Sequence, residues 1–338
     1  MKKLFILICL LLTGFFFTAF SSNKPAYRIF MPKGKRADYN DMVKAARSSG
    51  IIFFGELHDN PICHWLELQL AKDLLNVPGK NLVLGAEMFE TDNQLLLNEY
   101  VTRQIIRKKD FDAEAKLWPN YKTDYSPLVE FARENKLKFI ATSIPRRFAA
   151  IVNLHGFEGL DFIMANERGL MAPRPIPFDS SLNCYKNIAS VAMGAPHMSE
   201  NLAKAQAMKD ATMALFLLKN FLPDSTIFLH FNGEYHSENH EGIVWMTQQY
   251  LRRGNTFPKI MTISCVEQDD LDKLEQSNEG LADFIIVIPS DMTKTYVTDP
   301  MFTTIAKPSA DNKKEEDSKV KPKPKEQPVV EDDDDDDD

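Results

Sequence analysis

The chain has 338 residues, of which 44% are hydrophobic, and it carries a formal net charge of −8. This length supplies one large core or two modest ones, and the acidic balance excludes a nucleic-acid partner. The chain has four cysteines, one of which is Cys9 near the N-terminus, and it has no C-x-x-C pair. A disulfide scaffold is therefore excluded as well.

The N-terminal residues have the layout of a targeting segment. Lys2 and Lys3 precede an apolar run, Leu4–Phe17, and small residues follow as far as Ser22. This order is typical of a secretory signal peptide, so we predict a signal over residues 1–22 and export, with cleavage, to the periplasm or cell envelope. Cys9 lies inside the apolar run instead of directly after it, so we expect no lipid anchor. Membrane association is left open.

Residues 23–306 alternate short apolar runs with helical patterns, which predicts one α/β domain. The runs are mostly apolar throughout, as in strands that are buried on both faces. The predicted strands are Ile51–Phe54, Leu82–Leu84, Lys138–Ala141, Thr226–Phe231, Lys259–Ile263 and Phe284–Ile288. The predicted helices are Cys63–Asn76, Asp92–Arg103, Ser126–Asn135, Ser199–Leu222 and Glu241–Arg253. We expect a mostly parallel central sheet with helices on both faces and a helical insertion or lid within residues 154–195.

Residues 307–338 form a separate segment. They lack aromatic side chains, are rich in Lys, Pro and Asp, and end in seven consecutive aspartates. Such a composition cannot bury enough apolar surface to offset the entropy lost on ordering. We therefore predict a disordered acidic tail.

The tetrapeptide Gly-Glu-x-His occurs twice, at Gly55–His58 and Gly233–His236, each time where a predicted strand ends. A third strand, in NLVLGAEMF, also ends beside a glutamate. The carboxyl ends of parallel strands share one edge of a sheet, and ligands bind there. We therefore predict a single polar site at that edge, built from Glu56, His58, Glu87 and His236.

The chemistry of this cluster leaves two interpretations open. Imidazoles with carboxylates suit a divalent metal such as Zn, Mn or Fe, and the predicted ligands are His58, His236, Glu56 and Glu87. The same groups suit metal-free acid–base chemistry, in which a glutamate orients a histidine as a general base. Unpaired carboxylates would repel each other, so we expect Arg146 or Arg147, which follow the strand Lys138–Ala141, to supply a counter-charge.

Three further histidines are candidates for the same site. His64 begins the helix after His58, so its ring could face back toward the strand end. His197 directly precedes a long helix. His240 lies four residues after His236, a spacing that lets two side chains share a ligand on a helix.

Several linked motifs then make a family resemblance specific. The segments GELHDNPICH, GAEMFE, WPNYKTDYSPLVEFARENKLKFIATSIPRRFA, AQAMKDATMA and FNGEYHSENHEGIV occur in the order that is found in the haem-binding uptake family called ChaN. The chain resembles this family over roughly residues 50–266. ChaN proteins belong to the Tiki superfamily, together with the erythromycin esterases and TraB-type proteins. Tiki proteins are described as metal-dependent proteases with paired G-x-x-H motifs and a Glu, and Gly55–His58 and Gly233–His236 match that pair. Glu87 and Arg146 match other polar positions of the superfamily.

The resemblance implies a haem-binding protein that dimerises around stacked haems and uses a tyrosine as the iron ligand. Tyr125 and Tyr235 lie inside the matched motifs and are the candidate ligands. Arg147 or Arg146 is the implied partner of a haem propionate, and His64 and His197 complete the candidate haem contacts. The family's surface lipoproteins carry an anchoring cysteine, and this chain departs from them by lacking it.

We therefore expect an exported haem- or iron-binding protein that serves haem or iron uptake, with haem or another small molecule as its ligand and a homodimer as the implied assembly. The alternative is a metal-dependent, or Glu/His-dependent, hydrolase of the Tiki and erythromycin-esterase type. Its catalytic groups would be Glu56, His58, Glu87, Arg146 and His236.

Overall fold

The structure is a computed structural model, and it describes residues 24–191, 196–254 and 257–296. The predicted signal peptide and the predicted acidic tail lie outside these residues. Among the helices of the described ranges, none combines the length and the apolar character that crossing a bilayer requires.

Eight strands form one sheet in the order β2-β1-β8-β7-β3-β6-β4-β5. The five pairs from β8 to β5 in this order are parallel, whereas β1 pairs antiparallel with both β2 and β8. The strands are β1 Arg28–Phe30, β2 Arg36–Ala37, β3 Ile51–Glu56, β4 Asn81–Glu90, β5 Lys138–Ser143, β6 Thr226–Gly233, β7 Ile260–Gln268 and β8 Phe284–Pro289. The α/β class and the mostly parallel sheet are thus confirmed. Strands β1 and β2 escaped prediction because they are too short to form an apolar run.

The helices include all five predicted from the sequence. The α-helices are α1 Tyr39–Arg47, α2 Pro61–Leu74, α3 Gln94–Leu97, α4 Lys108–Glu114, α5 Ser126–Glu134, α6 Arg146–His155, α7 Asn183–Val191, α8 Pro196–Lys219 and α9 Gly242–Gly254. The segment predicted as one helix over residues 92–103 is a composite, in which α3 lies between a 3₁₀ turn and a wider π turn. Shorter 3₁₀ turns at Gly156–Phe162 and Arg168–Leu170 precede α7 within the predicted insertion.

Strand β3 separates two hydrophobic cores. Ile52 and Phe54 pack into the core that also receives side chains of α1, α2 and α5. Ile51 and Phe53 point to the opposite face and pack with α6, α8 and α9. All four side chains are fully buried, as the uniformly apolar run predicts for a strand covered on both faces. Helices therefore cover both faces of the sheet. The carboxyl ends of its strands are left for the site.

Candidate functional site

Three neighbouring strands bring the predicted polar residues to one edge of the sheet. Strand β6 lies between β3 and β4, and its last residue, Gly233, is in register with Glu56. A 3₁₀ turn, Glu234–His236, follows Gly233 directly. The two Gly-Glu-x-His motifs are therefore side by side, as the sequence predicts.

Glu87 reaches this edge through an irregularity in β4. The register between β4 and β5 shifts between Ala86 and Glu90, and such a bulge re-aims the side chains that it contains. The carboxylate of Glu87 accepts a hydrogen bond from the backbone N–H of Gly233 at 2.9 Å. Glu87 is thereby fixed against the start of the second motif.

Glu56 and His58 form the first acid–imidazole pair. His58 Nδ1 lies 2.7 Å from Glu56 Oε1, and the hydroxyl of Tyr125 donates to the same oxygen. Burial raises the pKa of Glu56, but the hydrogen bond from His58 and nearby positive charge outweigh it and lower the pKa to about 2. Glu56 is therefore a carboxylate, and His58 Nδ1 carries the proton that it donates.

The environment of His58 holds its ring in one orientation. The edge of the imidazole packs against Trp118, with ring centroids 4.8 Å apart. Burial lowers the pKa of His58, but the hydrogen bond and negative charge of Glu56 raise it further, so the net pKa lies above its ordinary value. The side chain remains 38% exposed. Among the hydrogen bonds of the described residues, none uses His58 Nε2, which lies next to Gly233.

His236 lies between two carboxylates. Its Nε2 is 3.2 Å from Glu87 Oε1, and its Nδ1 is 2.5 Å from Asp210 Oδ1 on α8. Burial lowers the pKa of His236, but the charges of Glu87 and Asp210 and their hydrogen bonds raise it to about 10. Burial raises the pKa of Glu87, but the charge of His236 holds it well below its usual range. The group is therefore an imidazolium between two carboxylates at neutral pH.

Both imidazoles open into one cavity of about 300 Å³. Gly233 forms part of its floor, since a Cβ on this residue would lie 2.8 Å from His58 Nε2. Lys209, on α8, contributes a cation to the wall. The remaining lining side chains are Glu87, Glu234, Tyr235, Gln206, Ile188, Leu202 and Ala205.

Arg146 and Arg147 are placed differently from the sequence-based expectation. Arg146 Nε lies 3.2 Å from Glu90 Oε1, and its side chain is 77% exposed. Arg147 pairs with Asp92 at 2.6 Å and with Glu167 at 3.4 Å. The positive charges that lower the pKa of Glu87 come instead from His236, His58 and Lys209. Counter-charge at this carboxylate is thus supplied by histidine and lysine.

The two candidate tyrosines both use their hydroxyl groups within the protein. Tyr125 is 2% exposed and donates to Glu56. Tyr235 lines the cavity, but its hydroxyl donates to the carbonyl of Cys184 at 2.8 Å. Burial and nearby acidic groups raise the pKa of both phenols. Both are therefore protonated donors, and their role as iron ligands stays a prediction.

The additional histidines separate into different environments. His64 is buried beneath His58, where its Nε2 lies 3.1 Å from the His58 carbonyl oxygen. His240 contacts Thr262 in β7 and Asp283 directly before β8, and it is not part of the cavity lining. The side chain of His197 lies outside the described residues.

Sequence reasoning missed four polar residues of the site. Asp210, Lys209 and Gln206 come from the interior of α8, and Glu67 lies on α2 next to His64. Asp210 and Glu67 are each 1% exposed. The sequence contains a signal for these two acids. Each lies on a helix face that is otherwise apolar, and an acid that is buried on such a face nearly always has a partner.

Comparisons with known proteins agree with the family resemblance found in the sequence. The family model described as haem-binding uptake, Tiki superfamily, ChaN matches residues 42–246. Among solved structures, one titled as cofacial haem binding to ChaN of Campylobacter jejuni aligns with a TM-score of 0.59 and 16% identity over 78% of this chain and 97% of that chain.

Two other solved structures have lower similarity. A type III effector, HopBA1, aligns with a TM-score of 0.40 and 13% identity over 80% of this chain and 100% of its own. An erythromycin esterase aligns with a TM-score of 0.39 and 11% identity over 72% of this chain and 77% of its own. No curated protein matches the chain.

Proposed function

The chain belongs to the ChaN family of haem-binding uptake proteins, within the Tiki superfamily, and from this premise we propose that it binds haem at the cavity between the two Gly-Glu-x-His motifs. His58 is the proposed iron ligand. The observation that carries the proposal is the pairing of His58 Nδ1 with Glu56 at 2.7 Å, which leaves Nε2 for a ligand at the cavity floor formed by Gly233.

The arrangement around His58 fits an iron ligand. A histidine that binds a metal donates its other ring N–H to a carboxylate or carbonyl, which fixes its tautomer and makes the free nitrogen more basic. Glu56 is such a carboxylate, because its pKa of about 2 keeps it ionised. The contact with Trp118 adds a second restraint on the ring. The haem iron would thus take its protein ligand from His58 of this chain.

The cavity walls fit the rest of a haem. Ile188, Leu202 and Ala205 supply apolar surface, and Lys209 supplies a cation for a propionate. The volume of about 300 Å³ lies at the lower end for small-molecule sites. A haem would therefore be enclosed in part, with one side open to a second haem or a second copy of the chain. Cofacial haem binding is named for the Campylobacter jejuni protein, and we propose that two copies of this chain also meet around stacked haems.

We also propose that the protein works in haem or iron uptake at the cell envelope after export. The N-terminal segment supports this, since two lysines, an apolar run and small residues follow each other as in a signal peptide. Export is tested by N-terminal sequencing of the protein from its host. A mature N-terminus close to residue 23 supports the proposal, and a retained Met1 in the cytoplasmic fraction contradicts it.

Haem binding is tested by titrating the purified domain with hemin and following the Soret band. We expect saturable binding by the wild type and at least about tenfold weaker binding by His58→Ala, since a lost ligand costs at least as much as a lost supporting contact. His155→Ala is the matched control, because His155 is exposed at the end of α6. Equal hemin affinity in wild type and His58→Ala would contradict the assignment.

A second candidate function is hydrolysis, and the two acid–imidazole groups favour it. His58, oriented by Glu56, is placed as a general base, and Lys209 in the cavity wall is the cation placed to stabilise developing negative charge. This differs from the sequence-based expectation, in which Arg146 has the second role. Hydrolysis is tested with a panel of esters. It is supported if the wild type and His155→Ala hydrolyse an ester and both His58→Ala and His236→Gln do not. Hemin binding without any such turnover would remove this candidate.

A further inference from the structure

Three buried side chains converge one layer beneath His58. They are Glu56 at the end of β3 and His64 and Glu67 on α2, and they are 2%, 5% and 1% exposed. One nitrogen or oxygen atom from each lies within 4.8 Å of the others. This spacing brings three metal-ligating groups to one point inside the protein.

Two carboxylate oxygens in this triad lack a donor. Among the described residues, Glu56 Oε2 and Glu67 Oε1 are buried without a hydrogen-bond partner. Glu56 Oε1 accepts hydrogen bonds from His58 and Tyr125, and Glu67 Oε2 lies 3.1 Å from His64 Nδ1. A buried carboxylate oxygen without a partner is costly. A positively charged species between the two groups would remove that cost.

The hydrogen bonds of His64 favour a metal over a protonated ring. His64 Nε2 lies 3.1 Å from the carbonyl oxygen of His58, and because a carbonyl accepts, Nε2 carries a proton. Nδ1 faces Glu67, so a metal bound there would give the arrangement of a ligating histidine with a carbonyl behind it. A doubly protonated ring would satisfy Glu67 Oε2 but would leave both unpartnered oxygens unchanged.

We propose that Glu56 Oε2, Glu67 Oε1 and His64 Nδ1 bind a divalent transition-metal cation, with Zn²⁺ as the ion that suits the donors best. Two carboxylates and a neutral imidazole carry a charge of −2, which a divalent cation neutralises. An imidazole ligand favours zinc or manganese over calcium and magnesium. Three protein ligands with a fourth position for water or another group is a common zinc arrangement.

The metal site is separate from the proposed haem cavity and does not depend on haem binding. Glu56 connects the two, because its Oε1 lies 2.7 Å from His58 Nδ1 and its Oε2 has no hydrogen-bond partner among the described residues. Occupancy by a metal would fix the carboxylate that orients His58. The buried ion would then act as a positioning element for the imidazole above it.

The proposal is tested on haem-free full-length protein that has been treated with a chelator and then titrated with ZnCl₂ or MnCl₂ by calorimetry. We expect one equivalent to bind to the wild type and to Glu87→Gln, the control for a rim carboxylate outside the triad. Glu67→Gln, which keeps the shape of the side chain, should bind at least about tenfold more weakly. Circular dichroism checks that each variant is folded.

A zinc-edge anomalous difference map of the wild type covers the case in which Glu67→Gln does not fold. A peak between Glu56, His64 and Glu67 supports the proposal. It is overturned if the wild type binds neither ion, if Glu67→Gln binds as tightly as the wild type, or if the ion is lost in Glu87→Gln and lies at the rim. A separate hemin titration of the same protein distinguishes failure of the metal site from failure of haem binding.

Discussion

His58 Nδ1–H donates a hydrogen bond of 2.7 Å to Glu56, whose side chain is only 2% exposed. The pair thus joins a partly exposed imidazole to a buried negative charge at the end of β3. Since Glu56 also receives Tyr125, one carboxylate oxygen organises two side chains from different elements.

Gly233→Ala should weaken hemin binding while the protein stays folded. A Cβ at this position would lie 2.8 Å from Nε2 and 2.9 Å from Cε1 of His58, which is too close for either atom to remain. His58 is partly exposed and can move outward, so the fold survives and the ring loses its position. We expect at least about tenfold weaker binding, measured from the Soret band. Gly169→Ala is the control, since a Cβ there meets nothing within 4 Å; equal weakening in both variants would argue against a role for His58.

Tyr125→Phe separates two roles of this residue. It removes a buried donor from Glu56, so we expect the free energy of unfolding to fall by about 1–3 kcal/mol. Because the phenol is protonated and buried, the hemin spectrum of the variant should match that of the wild type. Urea denaturation measures the first effect and absorption spectroscopy the second. Loss of a tyrosinate charge-transfer band in Tyr125→Phe would instead identify Tyr125 as the iron ligand.

The edge positions of Glu56, Glu87 and His236 could be predicted because each follows an apolar run, and parallel strands end at one edge. The neighbours of these residues could not. Arg146 also follows a strand, but α6 begins there and places the guanidinium beside Glu90 on the next strand. Asp210 reaches His236 from the middle of a helix, and its position depends on how α8 packs across the sheet. The packing of one element against another cannot be predicted from local sequence patterns.

Lys209→Ala and Arg146→Ala should have different effects on hemin affinity. Lys209 lines the cavity and its charge acts on Glu87, so its removal should weaken binding several-fold by loss of a propionate partner. Arg146 is 77% exposed and paired with Glu90, so its removal should leave the affinity within about twofold, as for most exposed ion pairs. Both are measured by hemin titration at one ionic strength. A larger loss in Arg146→Ala than in Lys209→Ala would restore the arginine to the site.

His236 should make stability depend on alkaline pH. Its pKa is raised from 6.5 to about 10 in the folded protein, so the folded state holds the proton more tightly than the unfolded state. The resulting stabilisation is complete below about pH 6.5 and is lost as the pH rises through about 10. His236→Gln should lower the free energy of unfolding by about 3 kcal/mol at pH 6, and the difference from wild type should shrink by at least about 1.4 kcal/mol by pH 10.

Urea denaturation at pH 6, 8 and 10 measures this dependence. All three pH values lie above the range in which Glu87 gains a proton. His155→Gln serves as the control, because His155 is exposed. A difference between wild type and His236→Gln that is constant or grows toward pH 10 would show that His236 is neutral in the folded protein.

Strand β6 lies between β3 and β4 although it follows both in the chain, so it must insert between two strands that precede it. Until it does, Glu56 and Glu87 have no shared neighbour, and the second imidazole is missing. The binding site therefore exists only when β6 is paired with both β3 and β4. A nascent or partly unfolded chain would have no competent site, so ligand capture can report that the chain has reached its native topology.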